Sequence, residues 1–98
     1  MEPTDPIPDA ARPKLTPGAR LQTDKVTGKP ILLYPEGTLL LNPTGQVIVS
    51  LCTGEASLEF IISSLAERYQ VPRSQISQEV YQFLNRLRAK NLVQFMTE

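Results

Sequence analysis

Apolar residues recur along this chain with two different periods. Arg20-Leu21-Gln22-Thr23 alternates polar and apolar, Thr27-Gly28-Lys29 supplies a turn, and Ile31-Leu32-Leu33-Tyr34 reads as a second strand closed by Pro35-Glu36-Gly37. Thr38-Leu39-Leu40-Leu41 reads as a third strand. Short apolar runs separated by turn residues predict an antiparallel meander. The period then lengthens. Asn42 stands where an N-cap is expected, with Pro43 at the first helical position. A short helix follows, with Val47, Ile48, Leu51 and Cys52 on one face and Gly54 as its stop. Ser57 is the next N-cap, and Leu58, Ile61, Ile62, Leu65, Ala66 and Tyr69 recur at i, i+3, i+4, i+7, i+8 and i+11, one continuous apolar stripe. Pro72 opens a third helix whose buried face is Ile76, Val80, Phe83, Leu84 and Leu87. Arg86, Arg88 and Lys90 in its last turn suit the helix dipole, and Asn91 ends it. Residues 92–95 read as a short closing strand or a packed tail. The fold class is α+β: a three-stranded antiparallel sheet followed by three helices.

Proline changes the picture at the start. Five of the nine prolines (Pro3, Pro6, Pro8, Pro13 and Pro17) precede the first strand. Proline fixes φ and removes an amide donor, so residues 1–14 are expected to form a flexible tail, with one domain over residues 15–98. The chain has 98 residues, enough for a single core. Residues 1–11 hold no apolar run that would mark a signal peptide. No stretch reaches the roughly 18 apolar residues of a membrane span, since Asn42, Pro43, Thr44 and Gly45 interrupt the best candidate. A single free thiol and no export signal point to the cytoplasm.

Charge adds a location. The ten Lys and Arg balance the ten Asp and Glu, so nothing draws the whole chain toward nucleic acid or membrane. Between residues 38 and 54 no charged residue occurs. Along the third strand Leu39 and Leu41 face one way and Leu40 the other. Edge strands are usually guarded by Lys, Pro or a bulge, and this one has no such guard. It reads either as a strand covered on both faces by its own helices, or as an edge left open for a partner peptide that adds a strand. The same apolar edge, with the Pro-rich hinge, allows pairing into a homodimer.

Candidate chemistry is sparse. With no His and one Cys, there is no Ser-His or Cys-His pair, no imidazole metal site and no Cys-x-x-Cys motif. No catalytic group assembles within sequence reach, so the expectation is a non-enzyme without cofactor or metal. A winged-helix DNA-binding domain is the alternative, on the strength of Arg73, Arg86, Arg88 and Lys90 against Glu79 in the third helix. Base-reading helices place such residues toward their N-terminus, and here most cations sit at the other end.

Several ordered pieces carry a resemblance. These are Pro13-Lys14-Leu15-Thr16-Pro17-Gly18-Ala19-Arg20, Leu33-Tyr34-Pro35-Glu36-Gly37, Leu41-Asn42-Pro43-Thr44-Gly45, Leu51-Cys52-Thr53-Gly54 and Val80-Tyr81-Gln82-Phe83-Leu84-Asn85-Arg86-Leu87. Over residues 12–95 the sequence resembles the pyrroloquinoline quinone biosynthesis protein D (PqqD) family, which is similar to the recognition element of ribosomally made, post-translationally modified peptides (RiPPs). The resemblance implies a winged helix-turn-helix-like shape and a non-catalytic peptide chaperone. Such a chaperone binds the precursor peptide PqqA and presents it to the radical SAM enzyme PqqE. It also implies that the peptide lies as an added strand on the third strand, beside the third helix. The backbone of Thr38, Leu39, Leu40 and Leu41 would then supply hydrogen bonds, and Tyr81, Leu84 and Arg88, at i, i+3 and i+7, would line the helical wall. From its own stripe, Leu84 reads more readily as core than as groove. Direct quinone binding is a further family-level role, although the sequence shows no cationic, aromatic pocket that would demand it.

Overall fold

The computed structural model describes residues 7–96. Its elements run β1 (Arg12–Leu15), β2 (Arg20–Thr23), β3 (Pro30–Tyr34), β4 (Gly37–Leu40), α1 (Pro43–Ser50), α2 (Leu58–Tyr69), α3 (Arg73–Ala89) and β5 (Val93–Met96). The predicted meander is present as an antiparallel sheet in the order β2-β3-β4. Leu32, fully buried, pairs with Leu21 on one side and Leu39 on the other, which puts one face of the sheet on the core.

The caps form where the sequence places them. The Asn42 side-chain oxygen accepts from the Gly45 amide at 2.6 Å, and Ser57 Oγ accepts from the Phe60 amide at 3.1 Å. At the end of α3, Asn91 adopts a left-handed φ of 60°. The Leu92 amide donates back to the Leu87 carbonyl at 2.9 Å and the Asn91 amide to the Arg88 carbonyl at 3.0 Å, a Schellman closure that turns the chain into β5. One stop differs. α1 ends at Ser50, before Gly54, because Leu51 caps it in a right-handed conformation. Gly54 serves the next loop instead, where its amide donates to the Pro13 carbonyl at 2.9 Å.

The amino-terminal segment corrects the expected tail. Residues 1–6 lie outside the described residues, but from Ile7 onward the chain is packed. Ile7 and Ala11 are buried in the main core, and Arg12–Leu15 pairs with β5 as a second, two-stranded sheet. Two carbonyls of this arm complete α2. The Leu58 amide donates to Ala11 at 2.8 Å and the Glu59 amide to Asp9 at 3.1 Å, satisfying helix-start donors that have no partner within the helix. Pro13 is tolerated because alternate residues of β1 face opposite sides. The Pro13 carbonyl and the Leu15 amide bond the loop at Gly54 and Cys52, so the missing Pro13 amide points away from β5.

The helices stack on the core face of the meander. Leu58, Ile61, Ile62 and Leu65 of α2 and Val80, Leu84 and Leu87 of α3 are fully or almost fully buried among Leu32 and Ile48. Among the described residues no helix is long and apolar enough to cross a membrane.

Candidate functional site

β4 occupies one end of the β2-β3-β4 sheet, so only one of its sides is paired among the described residues. Register decides which atoms face outward. The two-residue loop Pro35-Glu36 joins Tyr34 to Gly37, and the Leu41 amide donates to the Pro30 carbonyl at 3.2 Å. Gly37, Leu39 and Leu41 therefore turn their amides and carbonyls toward β3, and Thr38 and Leu40 turn theirs to the open side. Side chains alternate in the other sense: Leu39 and Leu41 pack on the core, whereas Thr38 and Leu40 are exposed on the outer face. Of the two readings of this strand, the one with helices on both faces does not hold, since Leu40 is 70 % exposed.

Two observations relate the second half of α3 to the segments that flank β4 in the chain. At the far end of β4, Gly45 of α1 approaches Phe83 of α3 so closely that a Cβ on residue 45 would lie 3.2 Å from the ring. At the near end, a cleft of about 590 Å³ separates the hairpin residues Tyr34, Pro35 and Glu36 from Ala89 and Lys90 at the end of α3, with Thr16 closing its floor. The stretch from Phe83 to Lys90 spans about 10 Å of helix, against about 13 Å of strand between Gly37 and Leu41. Phe83 thus lies against the helix that follows β4, and Ala89 and Lys90 lie across a cleft from the hairpin that precedes it.

The three residues expected in the helical wall, Tyr81, Leu84 and Arg88, lie in different surroundings. Leu84 is fully buried in the core and offers no surface. The half-buried Arg88 donates to the Asn85 side-chain oxygen, and its guanidinium carbon stands 5.2 Å from the centroid of the Phe95 ring on β5. Tyr81, seven residues earlier on the same flank, packs against the core. That flank faces β5. The flank facing α1 and the hairpin carries Phe83 and Lys90, which the sequence reading did not assign to a site. Their seven-residue spacing was visible, but the contact partner that orients them, Gly45, lies 38 positions before Phe83 in the chain.

Nothing in the site is set for bond-making chemistry. Burial pushes the Cys52 thiol up to about 12, so it stays protonated and unreactive. Among the described residues no group of His, Cys, Asp or Glu could hold a metal ion. An open strand edge with outward amides and carbonyls suits an extended backbone.

Comparison with known proteins gives this edge a lineage. Residues 31–93 match the family Coenzyme PQQ synthesis protein D (PqqD). The chain belongs to the PqqD family. It is 30 % identical over 83 residues to a PqqA binding protein of Rhizobium meliloti (strain 1021), covering 85 % of each chain. To a PqqA binding protein of Rhodopseudomonas palustris (strain BisB5) it is 33 % identical over 92 residues, covering 94 % of this chain and 87 % of that one. Its fold is similar to the solution structure of the PqqD truncation of Methylobacterium extorquens PqqCD, described as a functional and stand-alone RiPP recognition element. That match has a TM-score of 0.78 at 29 % identity, covering 96 % of this chain and 99 % of the other. The α+β order of a three-stranded antiparallel sheet and three helices is shared with that PqqD neighbour. None of these relatives is named for a reaction; they are named for binding and recognition.

Proposed function

We propose that this PqqD-family chain is a non-catalytic peptide-recognition module of PQQ biosynthesis. It binds the precursor PqqA as a strand added to β4, with the second half of α3 as the wall of the groove. The observation that carries this is the side of β4 left unpaired among the described residues, where the amides and carbonyls of Thr38 and Leu40 face outward. The relatives' name, PqqA binding protein, supports the identity of the peptide. The sheet acts as the wing of a winged helix-turn-helix-like module. A peptide held extended on the edge keeps its remaining length accessible, which suits hand-over to the radical SAM enzyme PqqE in the cytoplasm. When the peptide is absent, the same edge is free to pair with a second copy.

Titration of the ¹⁵N-labelled protein with synthetic PqqA tests this reading. The Thr38 and Leu40 amides, which face the added strand, shift most, and those of Leu39 and Leu41 shift less. Absence of binding, or binding that leaves Thr38 and Leu40 unmoved, refutes strand addition. A pull-down of PqqE by the protein should strengthen when PqqA is added; an unchanged yield refutes presentation.

A further inference from the structure

We propose that Leu40 is a specificity-determining contact that selects an apolar side chain on the outer face of the strand added to β4. This rests on the strand-addition reading and deepens it, by naming the chemistry of the segment that is recognised. Strand pairing places Gln22, Ile31 and Leu40 in one row across the outer face of the sheet. Ile31 is only 8 % exposed although it stands outside the main core, and its two direct cross-strand neighbours are Gln22 and Leu40. Leu40 has such a neighbour on one side alone, because β4 ends the sheet, and it remains 70 % exposed.

A strand added at this edge sets one of its side chains directly opposite Leu40, with Cβ atoms about 5 Å apart. An apolar side chain there continues the Ile31–Leu40 row and removes Leu40 from water. A charged one leaves the leucine wet and is itself partly desolvated. The neighbouring row, Arg20, Leu33 and Thr38, ends in a hydroxyl, so two residues along the peptide a polar side chain fits. Between these two positions the peptide side chain points inward beside Leu39, toward the core face. The recognised segment therefore carries apolar, inward-facing and polar residues in succession over Leu40, Leu39 and Thr38. The outer-face row adds selection to a backbone-bonded edge that by itself accepts any extended chain.

The test is calorimetric titration of synthetic PqqA and its alanine-scanned set against wild type, Leu40→Val and Leu40→Ser, with the Thr38 amide signal followed in each. The exposure of residue 40 lets both variants fold, which matched unfolding midpoints verify. Leu40→Val should bind within about twofold of wild type and Leu40→Ser about fivefold more weakly, the size of a strong cross-strand pair. One apolar peptide position should lose its alanine penalty in Leu40→Ser, which identifies the partner side chain. If Leu40→Ser binds PqqA as wild type does while Thr38 still shifts, the outer-face contact is refuted and strand addition stands. If Thr38 does not shift even in wild type, strand addition fails and this inference falls with it.

Discussion

Gly45 meets the ring of Phe83 so closely that a methyl group would fit only if its neighbours gave by a few tenths of an ångström: a Cβ there would lie 3.2 Å from Cε1 of the ring and 3.1 Å from the Asn42 side-chain oxygen. This contact brings α3 against the start of α1, the helix that follows β4. Gly45→Ala gains helix propensity, up to about 1 kcal/mol. It also overpacks the junction and presses on the N-cap that holds the Gly45 amide at 2.6 Å. Overpacking of this kind costs about 1–3 kcal/mol, so a net loss of about 1 kcal/mol is expected in urea unfolding. Affinity for PqqA should fall with it, since Phe83 is displaced toward the groove.

Thr38→Pro removes one outward amide without touching the ladder to β3. Proline is accepted on the free side of an edge strand. The unfolding midpoint should change little while PqqA affinity drops about tenfold, comparable to one lost backbone hydrogen bond plus a steric block. Leu39→Pro is the contrasting variant: its amide faces β3, so stability falls first.

Arg88→Ala separates the two flanks of α3. It loses the stacking on Phe95 and the bond to Asn85, a stability cost of about 1 kcal/mol. Peptide affinity should stay within about twofold of wild type, less than half a kcal/mol. Phe83→Ala should instead weaken peptide binding more than its stability loss accounts for. Matched thermal melts and titrations distinguish the two patterns.

How far these features were legible in the sequence depends on the range of the interactions that make them. The stripe from Leu58 to Leu65 and the caps at Asn42, Ser57 and Asn91 are local, and each formed as read. Alternation puts Leu40 on the face opposite Leu39 and Leu41, but leaves two readings of that face, open or covered. β1 was hidden because its residues read as a proline-rich tail. What rescues it is long-range: β5 pairs along one side and residues 52–54 along the other, with Pro13 turned so that its missing amide is not needed. The surroundings of the residues expected in the helical wall were hidden for a related reason. A wide buried arc on α3 has two flanks, and spacing alone does not say which one meets β5 and which meets the hairpin.

Removal of residues 1–11 tests the packed arm. The shortened chain loses the burial of Ile7 and Ala11 and the carbonyls that receive the Leu58 and Glu59 amides. A loss of about 3 kcal/mol is expected, from one large side chain and two backbone bonds. Native-state hydrogen exchange should then rise first at Leu58 and Glu59. An unchanged unfolding midpoint would show that the arm contributes nothing.

Cys52 sets an alkaline limit. Its thiol is held up to about 12 in the fold by burial, above the ordinary value of 9.0, so the folded state retains a proton that the unfolded chain releases. The contribution is complete below pH 9 and is lost progressively as pH rises toward 12. Cys52→Ala should flatten the alkaline fall in stability, read from urea midpoints across that window. Ellman's reagent at pH about 8 should label the thiol only after denaturant is added.

The pairing of Arg12 with Met96 sets the start of β1 beside the last of the described residues. A load applied between Ile7 and Met96 has to draw Ile7 and Ala11 out of the core before it peels β1 from β5. The meander that carries the β4 edge is a separate sheet and lies outside that path of tension. A pull on either end of the described residues therefore works on the packed arm and the closing ladder before it disturbs the β4 edge.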